Sequence, residues 1–318
     1  MHATLEITTQ GCRGVDAFAA TRLAAGTAFL VVAAASDLRT RGVRNPLWIG
    51  LGTLGLVILA AELLVESAPW PTWSLAGSAA VLFYAVFFGR PLFDEDGFHA
   101  RPGRMGLFFA AAAMWIAPLG FAGIVASSVP IVELASMPVM LVVYQLMLRA
   151  RLLAGGADAK CLMALTLLVP TYPHASPFPV FAADPRVQPA FQALFPFSFV
   201  VLVDAAVLQL VVPLGLFIYN LTRGDVGIQS FLGYRAALDP FPKHVRLMER
   251  ITDRGEHVVV LRPKRDLDPR PEILKLREAG IQRAWVTPWV PFMVPLLGGF
   301  LLAFLAGNLL VAVLGAGR

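Results

Sequence analysis

The chain has 318 residues, 57% hydrophobic and only 15% charged, with a mean hydropathy of +0.69. Soluble domains carry nearer a quarter charged residues, so the composition excludes an ordinary soluble globular protein and points to an integral membrane protein. The net charge of +5 comes without a clustered basic and aromatic face, which argues for cytoplasmic loops and against a nucleic-acid partner.

A helix needs about 20 apolar residues to cross a bilayer core. The polar opening MHATLEITTQGCRGVDAF lacks the short basic start of a cleaved signal peptide, so the first span is expected to be retained. The expected spans are 17–36, 47–65, 73–89, 105–127, 134–150, 158–172, 197–221 and 291–314. The fifth contains Pro138, and the sixth is cut short by Pro170 and Pro173. The expected fold is therefore an all-α, polytopic transmembrane bundle of about eight spans, within a range of six to eight.

Charge orients these spans. The loops after spans one, three and five carry Arg39, Arg41 and Arg44, then Arg90, Arg101 and Arg104, then Arg149, Arg151 and Lys160. The alternate loops ESAPWPT and SSVPIVELAS carry no Lys or Arg, and the 173–196 loop carries only Arg186. The positive-inside rule puts the arginine-bearing loops in the cytoplasm and both termini outside.

Residues 222–290 are too polar to span. HVVVLRP reads as a buried strand bounded by Pro263, PEILKLREAG as a short amphipathic helix from Pro271 to Gly280, and RAWVT as a second strand. The expected organisation is a helix bundle over 1–221, a small cytoplasmic α+β module over 222–290, and a final span over 291–318. His244 and His257 are isolated, and Cys12 and Cys161 form no CxxC pair, so no metal site or disulfide framework is expected. Cys161 reads as a small packed core residue.

Two acids stand out. Asp37 lies where span one meets the cytoplasm, and Asp158 lies where span six leaves it. A two-aspartate hydrolytic site needs this arrangement: one carboxylate takes a proton from water and the other donates to the substrate carbonyl. Two close carboxylates share one proton and titrate as a unit. Gly155 and Gly156, lacking side chains, would let an extended substrate backbone approach. A helix N-terminus also favours the ionised form of a carboxylate, here Asp158. Plainer readings stand beside this one. Asp158 is a favoured N-cap residue, and Asp37 could pair with Arg39 or Arg41. Asp204, inside span seven, reads as a packing or hydrogen-bonding residue nearer the outer face. The acidic knot Asp94, Glu95 and Asp96 reads as a solvated turn, or as a contact for a basic substrate segment.

SDLRTRGVRNPLW resembles the first-aspartate motif of type IV prepilin peptidases. GGADAK resembles the second-aspartate motif of GxGD membrane proteases, in the form typical of archaeal preflagellin and prepilin peptidases. RAWVTPWVPFMVPLLGGF resembles the C-terminal segment of the same archaeal family. The resemblance implies a membrane aspartic endopeptidase that needs no metal or other cofactor. It would cut the basic leader from pilin- or archaellin-like precursors at the cytoplasmic face of the lipid bilayer. Asp37 and Asp158 would be the catalytic pair, with Gly155, Gly156 and Lys160 matching the second motif; Lys160 reads as an interface anchor.

The sequence departs from the family pattern in three ways. Ala157 replaces the second glycine of GxGD. The second aspartate opens the sixth expected span, where the archaeal pattern has it open the fourth; an inserted pair of spans that includes part of 73–127 would explain this and preserve sidedness. The tetracysteine zinc domain of many bacterial members is missing, so no methyltransferase activity is expected. Two rivals remain. A presenilin-type protease would carry a Pro-Ala-Leu motif, which the sequence lacks. A transporter would use intramembrane acids for ion or proton coupling, and only Asp204 lies deep enough for that.

Overall fold

The computed structural model describes residues 2–88, 93–94, 97–98, 101–119, 131–153, 155–173, 192, 195–252, 255–261, 263 and 268–307, with backbone alone over 2–16, 93–94 and 97–98. Two compact units result, Met1–Ala205 with Phe292–Arg318, and Ala206–Pro291.

The first unit is helical. Its elements are α1 (His2–Thr40), α2 (Asn45–Val65), α3 (Trp70–Phe87), a two-residue hairpin β1 (Phe93–Asp94) and β2 (Gly97–Phe98), α4 (Pro102–Leu119), α5 (Ile131–Arg149), α6 (Gly156–Leu168), most of α7 (Phe197–Gln209), and α10 (Met293–Leu305). A proline in the first turn starts α2 and α3, where its missing N–H costs no bond. Trp48, Leu51, Phe83, Tyr144, Phe300 and Phe304 are fully buried. The centre is α6, in which every residue from Cys161 to Leu168 is buried.

Each of the eight expected segments holds a helix. Four described helices are long and apolar enough to cross a membrane: Ala17–Thr40, Asn45–Val65, Ile131–Arg149 and Phe197–Leu221. Met293–Leu305 is apolar but shorter. The fold thus supports a membrane protein with four candidate spans, and does not establish eight. The shortfall has local causes: α6 stops two residues before Pro170, and 120–127 of the fourth segment and 308–314 of the last lie outside the described residues.

The second unit holds the rest of α7, then α8 (Val211–Leu221), a 3₁₀ turn (Ile228–Phe231), strands β3 (Tyr234–Ala237), β4 (Val245–Leu247), β5 (Glu249–Ile251) and β6 (His257–Val259), helix α9 (Arg270–Glu278), and β7 (Arg283–Pro288). The antiparallel sheet runs β3-β7-β4, with β5 and β6 forming a separate hairpin. The expected strands in HVVVLRP and RAWVT appear as β6 and β7, and the expected helix as α9; β6 is not buried as expected, because it lies in the two-stranded β5–β6 hairpin with His257 and Val259 exposed, whereas β7 at the centre of the sheet is buried. Pro271 stands in the first turn of α9, and Gly280 follows it at φ +79°, a left-handed conformation glycine adopts freely. His257 is not isolated: its Nε2 lies 2.8 Å from Glu249 Oε2, while Glu249 Oε1 accepts the Trp285 N–H at 2.8 Å. That buried carboxylate fastens the β5–β6 hairpin to the central strand.

Candidate active site

Asp37 is half-buried in the last turn of α1. Arg41 ends that helix in a left-handed conformation, φ +56°, and its N–H bonds back to the Asp37 carbonyl at 3.0 Å. Ser36 Oγ and Thr40 Oγ1 both donate to the Gly42 carbonyl, at 2.9 and 3.0 Å. These bonds fix the corner from which Asp37 projects. Among the described residues neither Arg39 nor Arg41 forms an ion pair with Asp37, so the simple charge-pair reading lacks its partner.

Asp158 lies in the first turn of α6 and is only 6% exposed. Gly155, not Asp158, occupies the N-cap position. The aspartate side chain folds back over it: a Cβ added at Gly155 would stand 2.9 Å from Asp158 Oδ2. A larger residue at 155 would push that carboxylate from its present position. Gly156 differs, because a Cβ there would meet nothing within 4 Å. One glycine makes room for the acid, and the other leaves the entrance to the helix open.

Two contacts fix the direction of α6 against α2. Lys160 Nζ donates to Asn45 Oδ1 at 2.8 Å, joining the first turns of both helices. Further along, a Cβ at Gly55 would stand 2.6 Å from the Leu168 backbone. Asn45 with Lys160 and Gly55 with Leu168 make the two helices parallel. Since α1 ends only four residues before α2 begins, its end lies at the level where α6 starts. Gly26 of α1 checks this, because its Cβ would come within 3.0 Å of the Leu168 side chain. From that crossing Asp37 is about 16 Å along α1 and Asp158 about 15 Å back along α6, at about 1.5 Å per residue. Both aspartates therefore lie at one end of the bundle. Lys160 also stands 5.8 Å from the Phe87 ring, so it ties α2, α3 and α6 together there.

Other polar groups pin the same helices. Arg22 of α1 and Glu62 of α2 form a buried two-pronged ion pair, Nη1 to Oε1 at 3.2 Å and Nη2 to Oε2. Sequence reading passed over this pair, although one Arg and one Glu inside two apolar spans was a legible signal. Tyr144 and Thr166 hydroxyls both donate to Ser198 Oγ, at 2.8 and 2.9 Å, linking α5, α6 and α7. Asp204 is 1% exposed, and neither carboxylate oxygen has a hydrogen-bond partner. Of the two roles expected of it, packing and hydrogen bonding, packing is the one seen among the described residues. Glu95 and Asp96 of the acidic knot lie outside the described residues, and Asp94 is described by its backbone alone. Among the described residues no three His, Cys, Asp or Glu side chains gather as a metal site would require.

Residues 24–214, more than half the chain, match the type IV leader peptidase family. Residues 228–309 match the archaeal peptidase A24 C-terminus, type II. A preflagellin peptidase of Methanococcus voltae is 26% identical over 168 residues, which cover 50% of this chain and 66% of that protein, just under two thirds of its length. These matches do not favour the transporter reading. The first family match contains both aspartate motifs and the second contains the C-terminal segment, so the chain belongs to the type IV leader peptidase family.

Proposed function

We propose that this protein is a membrane aspartic endopeptidase that removes the basic leader from pilin- or archaellin-like precursors at the cytoplasmic membrane face. The observation that carries the reading is the common level of Asp37 and Asp158 at one end of the helix bundle. Family membership and the preflagellin peptidase relative supply the substrate class.

In the proposed reaction Asp37 and Asp158 share one proton. The ionised carboxylate accepts a proton from water as the water oxygen attacks the scissile carbonyl carbon. The protonated carboxylic acid donates to the carbonyl oxygen, giving a neutral tetrahedral diol. The carbon–nitrogen bond then breaks as the carboxyl now protonated gives its proton to the leaving amine and the other carboxylate takes the proton of a diol hydroxyl, so the dyad keeps one proton throughout. Gly155 holds its backbone clear of the Asp158 carboxylate, and the open side of Gly156 receives the substrate chain. No metal or cofactor enters this scheme. The arginine-bearing loops support a site on the cytoplasmic side of an eight-span bundle, with the 222–290 module on that same side.

The test is cleavage of a preflagellin-type precursor by the purified protein in lipid. Asp37→Asn and Asp158→Asn are each expected to lower the rate by at least about 1,000-fold, at the upper end for loss of general acid–base catalysis, with unchanged helical content and thermal midpoint. Wild-type cleavage by either folded variant rejects the dyad.

A further inference from the structure

The segment after α8 is unusual for a chain leaving a membrane. Residues 197–221 form a candidate span in which only 17% of the apolar window is buried, so its surface suits lipid. Past Leu221 the chain does not move away. Gly224 takes φ +75°, its N–H bonds the Leu221 carbonyl at 3.2 Å, and the Asp225 N–H bonds the Asn220 carbonyl at 3.0 Å. This is a helix end followed by a reversal. The Ile228–Phe231 turn then packs back on α8. Phe231 stacks face to face on Phe217 with ring centroids 4.3 Å apart, which places Phe231 about 6 Å back along the helix from Leu221.

That position would be costly for an irregular backbone unless its polar groups were satisfied. Several of them are met internally. The fully buried Asn220 donates through Nδ2 to the Ser230 and Gly233 carbonyls, at 2.8 and 2.7 Å. The Ser230 N–H bonds the Gly227 carbonyl at 3.1 Å, and the Leu232 and Gly233 N–H groups bond the Gln229 carbonyl at 2.9 and 3.0 Å. The Gln229 amide folds over Gly227, where a Cβ would meet it at 2.8 Å. The outward side chains are instead apolar: Val226 is 65% exposed and Ile228 75%, continuous with exposed Leu214, Ile218 and Leu221 of α8. At the same level Arg223 stands 4.5 Å over the Tyr219 ring, and Tyr234 meets Tyr219 edge to face, a pairing of aromatic and basic groups suited to the headgroup layer.

We propose that residues 225–232 form an apolar hook that dips back into the bilayer interface and anchors the strand module to the membrane surface. The occupant of this patch is lipid, because the patch continues the surface of a candidate span and lies at the depth of its last turns. The inference rests on α8 lying in the membrane and is independent of the peptidase reading.

The test places an environment-sensitive fluorophore on single cysteines at Val226 and Ile228, in a Cys12→Ser, Cys161→Ala background, with exposed Lys243 as the control. The protein is reconstituted in vesicles of phosphatidylcholine and phosphatidylglycerol. Nitroxide lipids labelled near the headgroup should quench positions 226 and 228 several-fold more than 243, and aqueous iodide should do the reverse. Iodide quenching at 228 equal to that at 243 would overturn the proposal. Shielding from both quenchers would overturn it too, because a protein partner or second copy would then cover the patch. Hydrogen exchange of the unaltered protein in lipid discs provides the measurement free of substitutions. Peptide 225–233 should exchange about tenfold more slowly than the irregular 238–244 segment, and equal rates count against the hook.

Discussion

The helices that carry the aspartates and the three that flank them are held together in different ways. Where α1, α2, α6 and α10 meet, glycines give room for the close approach of a backbone or a ring. A Cβ at Gly55 would stand 2.6 Å from the Leu168 backbone, and one at Gly26 would overlap the Phe300 ring at 2.3 Å. Small residues are the usual means of close helix packing where lipid removes the hydrophobic drive. The Arg22–Glu62 pair and the Lys160–Asn45 bond then fix the register. Helices α4 and α5 both pack closely on α3 and meet each other only sparsely, and side chains reaching carbonyls tie the three: Ser74 to Met114 at 2.7 Å, Ser78 to Ala111 at 2.7 Å, and Trp115 to Ala135 at 2.9 Å. Between them an apolar groove of about 350 Å³ stays open, lined by Leu82, Phe108, Trp115 and Val142 among others. The molecule is closely packed around α6, which carries Asp158, and open between α4 and α5.

If the tight side is held by specific contacts, breaking one should be costly. The largest effect is expected at the buried ion pair. Glu62→Gln leaves the Arg22 guanidinium buried without its counter-charge and should cost about 3–5 kcal/mol. Arg22→Met with Glu62→Met removes both charges and should recover most of that loss, because the pair's own desolvation cost disappears with it. Thermal unfolding in detergent, followed by circular dichroism, reads both. A single variant as stable as wild type would show that water or another group reaches Arg22. The next effect is expected at Gly55→Val. The obstructing atoms belong to the Leu168 backbone, which cannot rotate away, so α2 and α6 must part at a cost of about 1–3 kcal/mol. Leader cleavage should fall with it, since the same interface sets the level of Asp158. An unchanged thermal midpoint would mean that the two helices are free to slide.

Much of this contrast was legible in the sequence, and particular residues explain what was not. Composition and the apolar runs gave a helix in every expected segment, and loop arginines gave the sidedness now proposed. Asp37 and Asp158 were found because acids at the ends of apolar runs are conspicuous, and GGADAK narrowed the family. What pattern alone could not supply was contact. Gly155 and Gly156 look equivalent as letters, yet one lies under a carboxylate and the other faces open space. Lys160 reads as an anchor near lipid headgroups, and its bond to Asn45 appears only once α2 and α6 are laid side by side. Strands β3 to β5 escaped detection because three- and four-residue strands with mixed polarity carry no alternation. The reversal after Leu221 was read simply as the start of a polar module, because Val226, Ile228 and Phe231 are too widely spaced to register as an apolar run.

The smallest effect should come from the loose side. Ala112 of α4 is exposed and lines the groove, so Ala112→Leu adds apolar volume to space expected to hold lipid chains in a bilayer. Lipid tails are as apolar as a leucine side chain, so exchanging one for the other changes little free energy. The expected shift in stability in lipid discs is under about 0.5 kcal/mol, the scale of a surface substitution, with leader cleavage unchanged. A loss as large as that at Gly55 would mean that α4 and α5 close on each other when the protein is in a bilayer. The difference between the two regions would then lie in the detergent-free packing of α4 and α5, not in how glycine and polar clamps are distributed along the chain. Measuring Ala112→Leu in both detergent and lipid discs separates these outcomes, because only a groove filled by lipid gives the same small shift in discs and a gain in detergent that solvates it poorly.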